Sequence, residues 1–165
     1  MKLTKLLGEM TYDADKINGM RLTLDERASR LAAEDPLRKR LQDASAQVDV
    51  LRKKIVATKE GGAITGEERL REFLTNLYGD VNFYEGRPSQ TQEERADALS
   101  HELGDVVKDF DDWAAKELSG LNSELAKKKL DPIRTLTRDE WEKVGQRPTS
   151  SPSPSAMRGR DRDEF

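Results

Sequence analysis

The sequence predicts an all-α protein, an antiparallel up-down-up-down four-helix bundle with a short C-terminal helix and a disordered tail, and three observations carry that expectation. Charged residues make up 37% of the chain and aromatic residues only 5%, a balance that suits long helices with wide solvated faces and aliphatic seams better than strands, which favour β-branched and aromatic side chains. Apolar residues recur at spacings of three, four and seven, the period of one helix face. Helix-breaking groups at Asp35-Pro36, Gly61-Gly62, Gly86-Arg87-Pro88 and Asp131-Pro132 cut this pattern into segments joined by short connections. At 165 residues the chain suits one core, with residues 1–144 as the bundle domain and 145–165 as the tail.

In the first segment Leu3, Met10, Ile17, Leu24 and Leu31 stand seven apart, with Leu6, Leu7, Ala14, Met20 and Ala28 widening the stripe; this predicts one helix ending near Ala33. Asp35 is placed to cap a second helix and Pro36 to occupy its first turn, where a missing N–H costs nothing. Leu37, Leu41, Ala44, Val48, Leu51 and Ile55 then form a narrow seam of coiled-coil character. Beyond Gly61-Gly62, Thr65 and Glu68 form a predicted capping box for a third helix bearing Leu70, Phe73, Leu74, Leu77 and Val81.

A fourth, longer helix is expected from about Thr91, with Ala96, Leu99, Leu103, Val106, Phe110 and Trp113 on one face and Leu118, Leu121 and Leu125 extending it past a soft point at Ser119-Gly120. Lys127, Lys128 and Lys129 suit the negative end of its dipole. Asp131-Pro132 stops it, and Thr137 with Glu140 caps a brief last helix through Trp141 and Val144. From Gly145 the Ser, Pro and Arg content is too polar to order itself.

The 29 basic and 32 acidic residues leave a net charge of −3, which gives no attraction for nucleic acid. No apolar run approaches the ~20 residues of a membrane span, so no membrane insertion is expected, and Glu9 interrupts the start before a signal-peptide core forms. Read as complete, the chain is expected in the cytoplasm. Without cysteine there is no disulfide, thiolate nucleophile or thiolate zinc site.

Neither a catalytic nor a cofactor-binding or metal site is expected. The single histidine, His101, cannot supply the two Glu-x-x-His pairs of a diiron bundle, and Ala98 precedes it by three residues. A phosphate loop over Gly61 to Gly66 fails because Glu67-Glu68 stand where lysine and a hydroxyl residue are needed. Asp109, Asp111 and Asp112 read as a solvated face rather than a glycosidase pair. Phe73, Tyr78, Phe83, Tyr84, Phe110 and Trp113 read as a converging aromatic core. The chemical alternative is a histidine phosphotransfer protein, with His101 facing water beside Asp105 and Lys108. Against it, Glu102 and Asp105 would repel a phosphoryl group.

The stretch from Leu51-Arg52-Lys53-Lys54-Ile55-Val56 through Gly61-Gly62-Ala63-Ile64-Thr65-Gly66 to Arg71-Glu72, with Leu77-Tyr78-Gly79, Tyr84-Glu85-Gly86-Arg87-Pro88-Ser89 and Asp139-Glu140-Trp141-Glu142, resembles the C-terminal helical region of bacterial sortilin-type β-propeller proteins. These carry Asp-box repeats and are often described as glycosyl-hydrolase-like or sialidase-like. The resemblance covers nearly all of residues 1–144 and omits the tail. It implies a non-enzymatic accessory module partnered by an adjacent propeller domain or a second copy, since any hydrolytic chemistry of the family belongs to the propeller. The apolar repeat starts at Leu3 with no linker before it, as expected of a fragment of a longer, exported parent.

Overall fold

The computed structural model describes residues 2–58, 68–83 and 87–145. These form five helices and no strand among the described residues: α1 Lys2–Ser29, α2 Pro36–Ile55, α3 Leu70–Phe83, α4 Gln90–Lys127 and α5 Arg138–Gly145. The protein is therefore all-α, as its composition predicts. The expected tail, Tyr84, Thr65 and the 61–66 glycine segment lie outside the described residues.

Local signals set most boundaries. Asp35 accepts the Leu37 N–H at 2.9 Å and Pro36 opens α2, so an orphan amide of the first turn is satisfied as the sequence predicts. Glu140 accepts the Thr137 N–H at 3.1 Å while the Thr137 hydroxyl accepts the Glu140 N–H at 3.3 Å, the reciprocal capping box expected for α5. A further box, unread in the sequence, starts α4: the Ser89 hydroxyl accepts the Gln92 N–H at 3.3 Å and the Gln92 side chain accepts the Ser89 N–H at 2.9 Å. α1 stops at Ser29, short of Ala33, because Arg30 and Leu31 already donate to carbonyls three residues back. α3 begins at Leu70, where Glu72 reaches back to the Arg69 N–H at 3.0 Å.

The order of helices departs from the up-down-up-down expectation. Contacts between α2 and α4 pair Asp35 with Lys128, Arg40 with Glu124, Gln47 with Trp113 and Lys54 with Asp109. One number rises as the other falls, so α2 and α4 are antiparallel, where an up-down-up-down bundle would make them parallel. α1 lies antiparallel to α2, with Arg21 3.8 Å from Asp49 and Arg38 donating to the Leu31 carbonyl at 3.2 Å, and thus runs parallel to α4, which it meets at Lys16–Asp111, 2.9 Å. The Arg95 guanidinium lies over Phe73 at 5.2 Å, which places α3 beside the first turns of α4, beyond the stretch that α2 covers.

Three columns result: α1, then α2 followed by α3, then α4. Length explains the arrangement. The 38 residues of α4 span about 57 Å at 1.5 Å per residue, and neither α2 with 20 residues nor α3 with 14 can cover that alone. α3 packs on both α1 and α4, closing the end of the bundle that α2 does not reach, where Leu3, Leu6 and Met10 are buried.

The core follows the seams read from the sequence. Leu37, Leu41, Ala44, Val48 and Ile55 are buried on α2, Leu51 is half-buried, and Ile17, Leu24, Leu74, Leu99, Phe110, Leu121 and Leu125 are almost wholly enclosed. No buried side-chain polar atom among the described residues lacks a partner, as folded interiors require. The aromatic residues do not form one cluster. Phe110 stacks on Trp113 at 5.9 Å, Phe73 packs elsewhere on α4 against Arg95, and Phe83 is 94% exposed at the end of α3.

Candidate interaction surface

After α4 the chain reverses sharply. The Lys129 and Leu130 amides donate to the Ala126 and Leu125 carbonyls at 3.0 Å each, and Lys129 takes a φ of 59°, the left-handed conformation that closes a helix and that glycine adopts at least cost. The expectation that three lysines serve the α4 dipole holds only for Lys127 in the last turn. Lys128 reaches across to Asp35, holding that carboxyl below its ordinary range, and Lys129 makes the reversal.

Residues 130–137 then run back as an extended strap in the groove between α1 and α4. Asn122 on α4 binds both backbone polar groups of one residue: its side-chain oxygen accepts the Ile133 N–H at 2.7 Å and its amide donates to the Ile133 carbonyl at 2.8 Å. Ile133 is thereby drawn into the core, 2% exposed. The Arg27 guanidinium donates to the Asp131 carbonyl at 3.1 Å, and the Tyr12 hydroxyl donates to the Leu136 carbonyl at 2.9 Å.

The strap delivers α5 onto α1, where an aromatic and cationic corner forms. Tyr12 meets Trp141 edge-on, 5.7 Å between ring centres at 67°, a geometry the ring quadrupoles favour. The Arg138 guanidinium stands 5.0 Å from the Tyr12 ring and 5.2 Å from the Trp141 ring, within cation–π range. The Trp141 indole N–H donates to Asp15 at 2.7 Å, and Arg138 donates to Glu142 at 2.9 Å. Beside the corner an open groove is lined by Asp15, Trp141, Glu142 and Val144, with Val144 62% exposed.

Two carboxyls near this corner are perturbed in opposite senses. Burial pushes Asp13 above the ordinary aspartate range, aided by Asp111 and Glu9 and opposed by Lys16 and Arg138. Hydrogen bonds from the Thr137 backbone, Arg134 and the Thr137 hydroxyl pull Glu140 down to about 2. Glu140 is thus a capping anion, not a proton carrier near neutral pH.

The other residues singled out in the sequence are scattered. Asp109, Asp111 and Asp112 each meet a different lysine: Lys54 at 3.1 Å, Lys16 at 2.9 Å and Lys108 at 2.6 Å. They point to separate neighbours rather than across one cleft. His101 is exposed with Nδ1 2.8 Å from the Asp97 carbonyl. A carbonyl only accepts, so Nδ1 donates in this contact. Among the described residues no three acidic or histidine side chains are grouped to hold a metal ion, and no helix is long and apolar enough to cross a membrane.

Sequence reasoning missed the corner because Tyr12 and Trp141 are 129 positions apart, although the legible Thr137–Glu140 cap already marked α5 as a built element. No protein family, curated protein or solved structure matches the chain.

Proposed function

We propose that this chain is a non-catalytic helical accessory domain that works by presenting a preorganised surface to a protein partner. The observation that supports this reading best is the corner itself: Tyr12, Arg138 and Trp141 gather at the surface beside an open groove with Val144 at its rim. Tyr, Trp and Arg are the residue types that most often dominate interface energies, Tyr and Trp because they bring large contact area at small entropic cost. In keeping with the resemblance to the helical region of sortilin-type proteins, the partner is the adjacent propeller domain of a longer, exported parent, with a second copy of this chain as the other candidate.

Two measurements test the proposal. An in-frame propeller encoded upstream, expressed separately, binds this chain in calorimetry, and Trp141→Ala with Val144→Asp weakens that affinity at least about tenfold. If the neighbouring sequence encodes no propeller and the chain remains monomeric in light scattering at high concentration, the reading is lost. The second reading, phosphotransfer at His101, is favoured by the exposure of that side chain alone. Incubation with a phosphorylated response regulator would leave acid-labile phosphate on His101 under that reading, and none under the first.

A further inference from the structure

Residues 130–145 have an unusual balance of attachment. None of the eight residues of α5 is buried, and Ile133 is the only buried side chain of the whole segment. A helix of this length does not persist in water without support, so α5 exists because Trp141 and Arg138 rest on Tyr12. Its support in turn is suspended from the strap, whose backbone is held by three side chains of the bundle, Asn122, Arg27 and Tyr12. At its root lies Lys129 in the left-handed region, a place where a small change of backbone angles redirects everything that follows. The rest of the core is built by α1, α2, α3 and α4, and takes from this segment only Ile133, with half-buried Leu130 against it.

We infer that residues 130–145 form a latch, a segment that leaves the α1–α4 groove as one unit while the three columns stay folded, uncovering the face of α1 that carries Tyr12, Asp15 and Met20. The polar tethers make release cooperative. Tyr12 contacts both the strap, through Leu136, and α5, through Trp141, so loss of the strap removes one of the two positions that hold the Tyr12 ring under α5. Release exposes Ile133, half-buried Leu130 and the Met20 beneath the strap but leaves the remaining buried residues of the columns in place, and therefore lies below global unfolding in cost. Met20, 3% exposed at the floor of the groove, is the core residue that opening brings to water. The latch goes beyond the partner-binding reading and stands or falls separately from it.

Native-state hydrogen exchange on the full chain tests the inference. The Ile133 and Trp141 amides are bonded to Asn122 and to the Thr137 carbonyl. They are expected to exchange at least about 100-fold faster than the amides of Leu24 and Leu121, as sub-global opening requires. Asn122→Ala touches only the strap, yet should speed exchange at Trp141 about tenfold and leave Leu24 unchanged. Tyr12→Phe, which keeps the ring and removes the bond to Leu136, should speed exchange at Ile133. If Asn122→Ala changes Ile133 without changing Trp141, strap and α5 are not one unit and the inference fails. If Leu24 and Leu121 accelerate equally with Trp141, the segment belongs to the global core and the inference fails as well.

Discussion

Phe110 and Leu121 on α4 are wholly buried in the core, whereas a few residues beyond the end of the same helix the chain buries only Ile133 and is otherwise held by hydrogen bonds from single side chains to its backbone. The columns gain from area removed from water, a non-directional term shared among many residues. The strap depends on geometry at a few atoms. Such bonds contribute little individually, but a buried one left half-made is costly. The comparison teaches that one chain can carry a robust scaffold and a releasable segment with no change in its helical character.

Truncation in the columns should have the largest effect. Phe110→Ala is expected to cost about 3–5 kcal/mol of global stability, by lost transfer energy plus the cavity left behind. Chemical denaturation followed by circular dichroism would show it; a cost below about 1 kcal/mol would mean that Phe110 is not the keystone its enclosure implies. Asn122→Ala should cost about 1–3 kcal/mol, because it strands the backbone N–H and carbonyl of Ile133, and the loss should fall on the segment rather than the columns.

The α5 cap comes next. Thr137→Ala should cost about 1 kcal/mol of local stability, read by Trp141 fluorescence in a Trp113→Phe background. The pH dependence has a definite sign. Glu140 is depressed from 4.5 to about 2 in the folded chain, so its contribution is present above its unfolded value and is lost as pH falls from about 4.5 toward 2. Trp141 should therefore loosen on acidification before the columns melt. Asp13, raised by burial, acts in the opposite direction and favours the fold more when protonated; a Trp141 signal insensitive to acid would contradict the role given to Glu140.

Lys129→Gly should stabilise the protein by about 1 kcal/mol, since glycine takes the left-handed conformation without steric cost. A destabilised variant would show that the Lys129 side chain matters more than its backbone. The smallest effect belongs to the surface ion pairs. Lys54→Ala, which breaks the exposed contact with Asp109, should change stability by no more than about 0.5 kcal/mol and less at high salt.

The helices were legible wherever a local signal sets them: the α2 seam from Leu37 to Ile55, the Asp35 cap and the Thr137–Glu140 box all stand as the spacing predicts. Boundaries slipped where two weak signals competed, as at Ser29 and Leu70. The surface side of His101 was also readable, because angular position around a helix follows from residue count alone. Its Nδ1 contact with the Asp97 carbonyl was not, nor was the exposure of Phe83, which depends on what the neighbouring column fails to cover.

The sequence by itself determined that this protein is helical and which face of each helix turns inward, because helix period, caps and breakers act within a few residues. Only the tertiary structure decided that α2 and α3 share one column, that α1 and α4 run parallel, and that Tyr12 meets Trp141. An apolar stripe states that a surface must be covered without stating by what; helix lengths and contacts between distant residues choose the cover, and neither is written in any local pattern.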